Sequence, residues 1–116
     1  VPATQASRSG LLLAHRAVQY LHANLDRPLT VAEVARHVGL GVTHFSQTFK
    51  AVTGTTPHRY LRRARLERGS DMLRMTSLSV GEVAAAVGFA GQSHFCTAFS
   101  RELGSSPARY RRRFQP

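Results

Sequence analysis

One apolar pattern is written twice in this 116-residue chain. Leu29-Thr30-Val31 and Glu33-Val34-Ala35 are matched by Leu78-Ser79-Val80 and Glu82-Val83-Ala84 at an offset of 49, and Val38-Gly39 by Val87-Gly88. One extra residue then enters the second copy, and the offset becomes 50. Phe45, Phe49, Gly54, Pro57 and Tyr60 align from there with Phe95, Phe99, Gly104, Pro107 and Tyr110. A repeat of this kind demands two equivalent structural units, and the outward positions of one predict those of the other.

Each copy reads as two short helices around a turn. Thr30-x-x-Glu33 and Ser79-x-x-Glu82 are capping boxes, in which each side chain satisfies the other residue's orphan amide. Val31, Val34, Ala35 and Val38, like Val80, Val83, Ala84 and Val87, recur at i, i+3, i+4 and i+7 and share one helix face. Gly39 and Gly88 stop those helices. In the helices that follow, Phe45, Phe49 and Val52, and Phe95, Phe99 and Leu103, are expected to face inward. Thr43, Ser46, Gln47 and Lys50 then face out, as do Gln92, Ser93, Cys96, Thr97 and Ser100. This is the pattern of a helix-turn-helix with a polar, unoccupied outer face.

The remaining segments are also helical in pattern. Leu11, Ala14, Val18, Leu21 and Leu25 define an amphipathic helix from about Gly10 to Asn24, ended by Asp26-Arg27-Pro28. Thr56-Pro57 is an N-cap with proline at the first helical position, and the helix it starts runs to about Met75. At about 1.5 Å per residue it spans roughly 28 Å, near the 34 Å of a DNA turn, so it reads as a spacer rod. Gly69 in its middle means either close packing or a softened rod. Ser106-Pro107 opens a last short helix. The expected fold is all-α, about seven helices, with residues 1–9 a linker remnant, 10–55 a first helix-turn-helix subdomain, 56–76 a connecting helix and 77–116 a second subdomain. The small, polar opening and the missing initiator methionine fit a piece of a longer protein.

Charge narrows the partner. The formal charge is +10, and of the 16 basic residues only Lys50 is not arginine. Such a field attracts a polyanion, nucleic acid first and an anionic membrane second. No apolar run approaches the roughly 18 residues of a spanning helix and no signal-peptide pattern opens the chain, so no membrane and a cytoplasmic location are expected. The single Cys96 excludes an internal disulfide and reads as a packing residue rather than a redox sensor. The six histidines lack metal-ligand spacing, and His44 and His94 have no neighbouring nucleophile or orienting carboxylate. No metal, cofactor or catalysis is expected.

Two helix-turn-helix units, each followed by Gly-x-x-Pro-x-x-Tyr, with Val87-Gly88-Phe89 before the second outward helix, resemble the AraC/XylS family of bacterial transcription regulators. The specific part is Ala84 to Arg111, with Ser93-His94-Phe95, Phe99, Gly104, Ser106-Pro107 and Tyr110-Arg111 in order. The resemblance implies a double-headed binder of double-stranded DNA that presents two recognition helices to successive major grooves and regulates transcription, as an activator, through RNA polymerase. It implies too that an effector or dimerisation domain lies outside this chain. By the family pattern, and because side chains reach base edges from early outward helix positions, Thr43, Ser46, Gln47, Gln92, Ser93, Cys96 and Thr97 are the expected base readers. Gln47 and Gln92 lead, since a glutamine amide pairs bidentately with adenine. Expected phosphate contacts are His44, Lys50, Arg62, His94, Ser100, Arg101, Arg111 and Arg112, with other arginines on solvated faces and Arg65 or Arg101 pairing instead with Glu67, Asp71 or Glu102.

Two departures from the family pattern stand out. Arginine is absent where Gln47 and Thr97 stand, which removes the commonest guanine contact and shifts weight to thymine methyls and DNA shape. Gly41 and Gly91 cap the recognition helices without a side-chain oxygen. Two other readings compete: a sequence-indifferent architectural DNA binder, and the DNA-binding module of a larger enzyme.

Overall fold

The computed structural model describes residues 3–115 of the chain, with side chains from Arg8 onward. Among the described residues there are seven α-helices and no strand: α1 (Ala3–Ala23), α2 (Val31–His37), α3 (Val42–Thr53), α4 (Pro57–Met75), α5 (Val80–Ala86), α6 (Gln92–Leu103) and α7 (Pro107–Phe114). The all-α fold with two helix-turn-helix units is as the repeat requires.

Local chemistry sets the helix ends. Thr30 Oγ1 accepts the Glu33 amide at 3.1 Å to open α2. At α5 both halves of the box are made, Glu82 N donating to Ser79 Oγ (3.1 Å) and Ser79 N to Glu82 Oε1 (2.8 Å). The Ser79 amide that donates to it, and after that the Ser79 hydroxyl, hold the Glu82 carboxyl below the usual glutamate range. Thr56 and Ser106 cap α4 and α7 through the amides of Arg59 and Arg109, each ahead of a proline. At the ends of α2 and α5 the chain turns through Gly39 and Gly88, both at positive φ, where residues with a Cβ are strained.

The chain divides into two compact units: the chain up to Asn24 with Leu29–Leu61, and Leu25–Pro28 with the chain from Arg62 onward. In the first, Ala14, Ala17, Leu21, Val31, Val34, Ala35 and Val38 are buried together with Phe45 and Phe49. In the second, Leu66, Leu73, Val83, Ala84 and Val87 surround Phe95 and Phe99. The two phenylalanine pairs have the same geometry, 5.5 Å between centroids at 50°. Tyr60 and Tyr110 close the seam edge-on, 5.4 Å from Phe49 and 5.3 Å from Phe99. A sequence repeat has become a repeat of packing, each aromatic pair adding roughly 0.5–1.5 kcal/mol beyond its buried area.

Several expectations are corrected. Residues 1–9 are not wholly linker, since α1 is helical from Ala3, as alanine, glutamine and arginine permit once the turn beyond is nucleated. The buried stripe of α1 passes through Gly10, Ala14, Ala17 and Leu21. Leu11 lies one residue, about 100°, off that stripe and is 58% exposed. Leu103 is 44% exposed because the place it was expected to fill beyond Phe99 is taken by Tyr110. Helix α4 is not a bare rod: Leu66 and Leu73 belong to the second core. Gly69 lies against Phe95, whose Cε1 and Cζ would stand 2.8 and 2.9 Å from an added Cβ, so close packing explains the glycine. No helix among the described residues is long and apolar enough to cross a membrane.

Candidate nucleic-acid interface

Helices α3 and α6 are both twelve residues long, start at glycine caps without a side-chain bond, and end at left-handed glycines. Their inward anchors, Phe45 and Phe49 in one and Phe95 and Phe99 in the other, are completely buried. With the helix rotation fixed by two anchors four residues apart, every other position is assigned to a face. Thr43, His44, Gln47 and Lys50 are exposed on α3, and Gln92, Ser93, His94, Thr97, Ser100 and Arg101 on α6. Among the described residues, groups of three or more histidine, cysteine, aspartate or glutamate able to hold a metal are absent.

Two expected readers sit differently. Ser46 and Cys96 each follow a buried phenylalanine directly and are only half exposed, at the shoulder of the seam. Their equivalence in the repeat is kept, but they stand behind Gln47 and Thr97 on the outward face.

In the second unit the structure brings several expected residues together. Arg62 of α4 and Ser93, His94, Thr97 and Arg101 of α6 line an open cleft of about 330 Å³, floored by Phe89 and Ala98. Two guanidinium groups, two hydroxyls and an imidazole on an apolar floor form a site for an anionic oxygen group. Phe89 and Ala98 carried no sign of this role in the sequence beyond the Val-Gly-Phe motif. The equivalent place in the first unit is lined differently. Helices α1 and α4 end at Ala23 and Met75, an offset of 52 that sets Gly10 opposite Arg62. Gly10 is buried, and a Cβ there would stand 3.0 Å from Val52 Cγ2 and 3.5 Å from Thr48 Cγ2, so α1 lies against α3 at the place where the second unit has the exposed Arg62.

Two arginines hold carbonyls instead of facing solvent. Arg111, expected on phosphate, is half-buried and donates Nε to Leu73 O (3.1 Å) and Nη2 to Thr76 O (3.2 Å) at the end of α4. Gln115 joins it, its Nε2 reaching the carbonyls of Leu73, Arg74 and Thr76 at 2.7–2.9 Å. A helix C-terminus leaves its last carbonyls unpaired, and these two side chains supply the missing donors. Arg65 behaves likewise, donating to Leu25 O (3.2 Å) and Arg27 O (2.8 Å) rather than pairing with Glu67 or Asp71. Its burial pushes the guanidinium pKa below the ordinary arginine value. Asp71 pairs with Arg74 instead. Arg112, beside Arg111, is exposed.

Two polar-faced helices in duplicate helix-turn-helix frames define a double helix-turn-helix protein. A family model described as a helix-turn-helix domain matches residues 34–113, and the chain belongs to that family, in its AraC type. It is 35% identical over 91 residues, 78% of its length, to the protein named "Probable transcriptional regulator LumQ" of Photobacterium leiognathi. Among solved structures, an AraC-type transcriptional regulator from Chromobacterium violaceum superimposes with a TM-score of 0.85 at 29% identity, covering 94% of this chain and 98% of that one. The DNA-binding domain of AdpA, solved with a target DNA, gives a TM-score of 0.85 at 28% identity and covers 88% and 92%. The chain spans about a third of the length of its curated relatives, 37% of LumQ and 32% of the right origin-binding protein of Escherichia coli.

Proposed function

We propose that this chain is the sequence-specific, double-stranded DNA-binding part of a bacterial transcription regulator, with α3 and α6 entering successive major grooves of one duplex. The observation that carries the reading is the pair of equivalent polar faces, rotated outward by buried phenylalanine pairs, on a chain of charge +10. A major groove admits one helix, and direct readout comes from side chains at its outward positions. Gln47 and Gln92 are the leading readers, with Thr43, Ser93 and Thr97 beside them and Ser46 and Cys96 at the shoulder. Lys50, His44, Ser100, Arg112 and the Arg62–His94–Arg101 cleft serve the phosphate backbone, which sets register without reading sequence. The AdpA domain, which shares this fold, was solved on DNA, and that supports the same partner here. Effector sensing or dimerisation then belongs to the remainder of a longer protein, acting on RNA polymerase in the cytoplasm.

The test is affinity against salt for a selected duplex and for random duplex. With Arg111 on carbonyls, four to six cationic contacts remain, and log affinity should fall with log salt at a slope of about −3.5 to −5.5. A flat response would contradict DNA binding of this kind. Equal affinity for both duplexes would favour an architectural binder, the reading that the excess of arginine over specific readers supports.

A further inference from the structure

Gly81 is the second residue of α5 and lies in ordinary helix. Its backbone has no positive φ to explain a glycine, and glycine is the poorest helix former after proline. The aligned residue of the first unit is Ala32, at the same place in α2. What fills the space of the missing side chain is the end of Gln92. A Cβ built on Gly81 would stand 3.0 Å from Gln92 Oε1 and 3.9 Å from its Cδ, with nothing else within 4 Å. Three ångströms is closer than a carbon ordinarily approaches an amide oxygen, so a side chain at 81 would displace the end of Gln92 by a few tenths of an ångström from this seat. The first unit has no such arrangement, because the residue aligned with Gln92 is Val42, which carries no amide. Alanine with valine in one copy has become glycine with glutamine in the other.

The oxygen edge of the amide is the one turned to α5; the nitrogen lies beyond 4 Å on the other side of Cδ. We propose that Gly81 is a specificity-positioning residue, seating Gln92 with its carbonyl oxygen against the first turn of α5 so that the amide NH2 is what meets a base edge. A lone NH2 selects acceptors: N7 or O6 of guanine, N7 of adenine, O4 of thymine. It disfavours a base that offers an amino group, such as cytosine N4. This rests on the reading of Gln92 as a base reader and narrows it, since the bidentate pairing with adenine uses oxygen and nitrogen together. The atom that an alanine at 81 would meet is the far end of a flexible side chain. The substitution therefore shifts the Gln92 amide from its seat and leaves α5 intact.

The experiment compares affinities for all four bases at each position of the best selected site, using wild-type chain, Gln92→Ala, Gly81→Ala and the double variant, with thermal unfolding of each. At the position where Gln92→Ala flattens discrimination, Gly81→Ala should change the ratio between bases by about two- to tenfold, the range of one net hydrogen bond. Its Tm should be unchanged or raised, and the double variant should match Gln92→Ala. If Gln92→Ala flattens a position and Gly81→Ala leaves every ratio untouched, the proposal is overturned while Gln92 remains a reader. A Gly81→Ala effect that persists without Gln92 also overturns it, because the effect then bypasses the amide. If Gln92→Ala alters no position, the reading of Gln92 itself fails, and the positioning role with it.

Discussion

The turns after α2 and α5 hold the same glycine in the same left-handed conformation, φ +80° at Gly39 and +85° at Gly88. Around Gly39 nothing lies within 4 Å of where a Cβ would go. Around Gly88 that place is 2.3 Å from the Leu25 carbonyl oxygen and 2.9 Å from Arg65 Nε. Duplication preserved the turn in both units, but in the second unit Leu25–Pro28 and Arg65 have been laid over it. The difference arises in the connections: seven residues, 24–30, separate α1 from α2, whereas four, 76–79, separate α4 from α5. Residues outside the repeat thus differentiate two frames that the repeat made alike, and Gly10 against Val52, where the second unit has Arg62 beside an open cleft, is a second case.

The largest expected effect separates these turns. Gly88→Ala should destabilise by about 2–5 kcal/mol, the sum of left-handed strain and a clash with backbone, while Gly39→Ala should cost about 1–2 kcal/mol from strain alone. Denaturant unfolding of the two variants measures it, and equal losses would break the contrast. In binding, Gln92→Ala should weaken the best selected site by about 1–3 kcal/mol while random duplex changes little. A titration on both duplexes checks this, and equal losses on both would remove Gln92 from the readers. Gly69→Ala should cost about 1–2 kcal/mol net, because crowding Phe95 outweighs the better helix propensity of alanine. A stabilised variant, seen in the same unfolding assay, would mean that α4 gives way there.

The smallest effect expected is a pH dependence at the α5 cap. Glu82 has a folded pKa below its unfolded one, so its contribution is complete above the ordinary glutamate range and is lost as pH falls through the lowered folded value. Glu82→Ala removes the carboxyl itself, so its stability deficit against wild type should shrink as the pH is lowered through that range, seen as converging Tm values. A constant difference would detach the bond between Ser79 and Glu82 from the stability of the second unit.

Much of the local grammar of the chain is legible in the sequence, the start of α1 and the place of Leu11 being exceptions. Capping residues, paired phenylalanines and stop glycines act within one or two helical turns, and periodicity reports such short-range constraints directly. The outward assignment of Gln47, Lys50, Gln92 and Thr97 followed from the same anchors. What escaped were the residues whose partners lie 35–42 positions away. Arg65 reads as an ion-pair partner, Arg111 as a phosphate contact and Gln115 carries no expectation, and no spacing in the sequence shows a side chain reaching backbone carbonyls so far along the chain. Leu103 was misplaced for a related reason: the i+4 step was right, but Tyr110 from the next helix filled the position. Gly81 passed unnoticed because its role depends on the far end of one long side chain.

The central claim is that both recognition helices read, each in its own major groove. Selection of bound sequences from random duplex DNA by the wild-type chain tests it most directly. Two enriched blocks should emerge, their centres about 10–10.5 base pairs apart, one helical turn. A single enriched block, or none, would contradict the account.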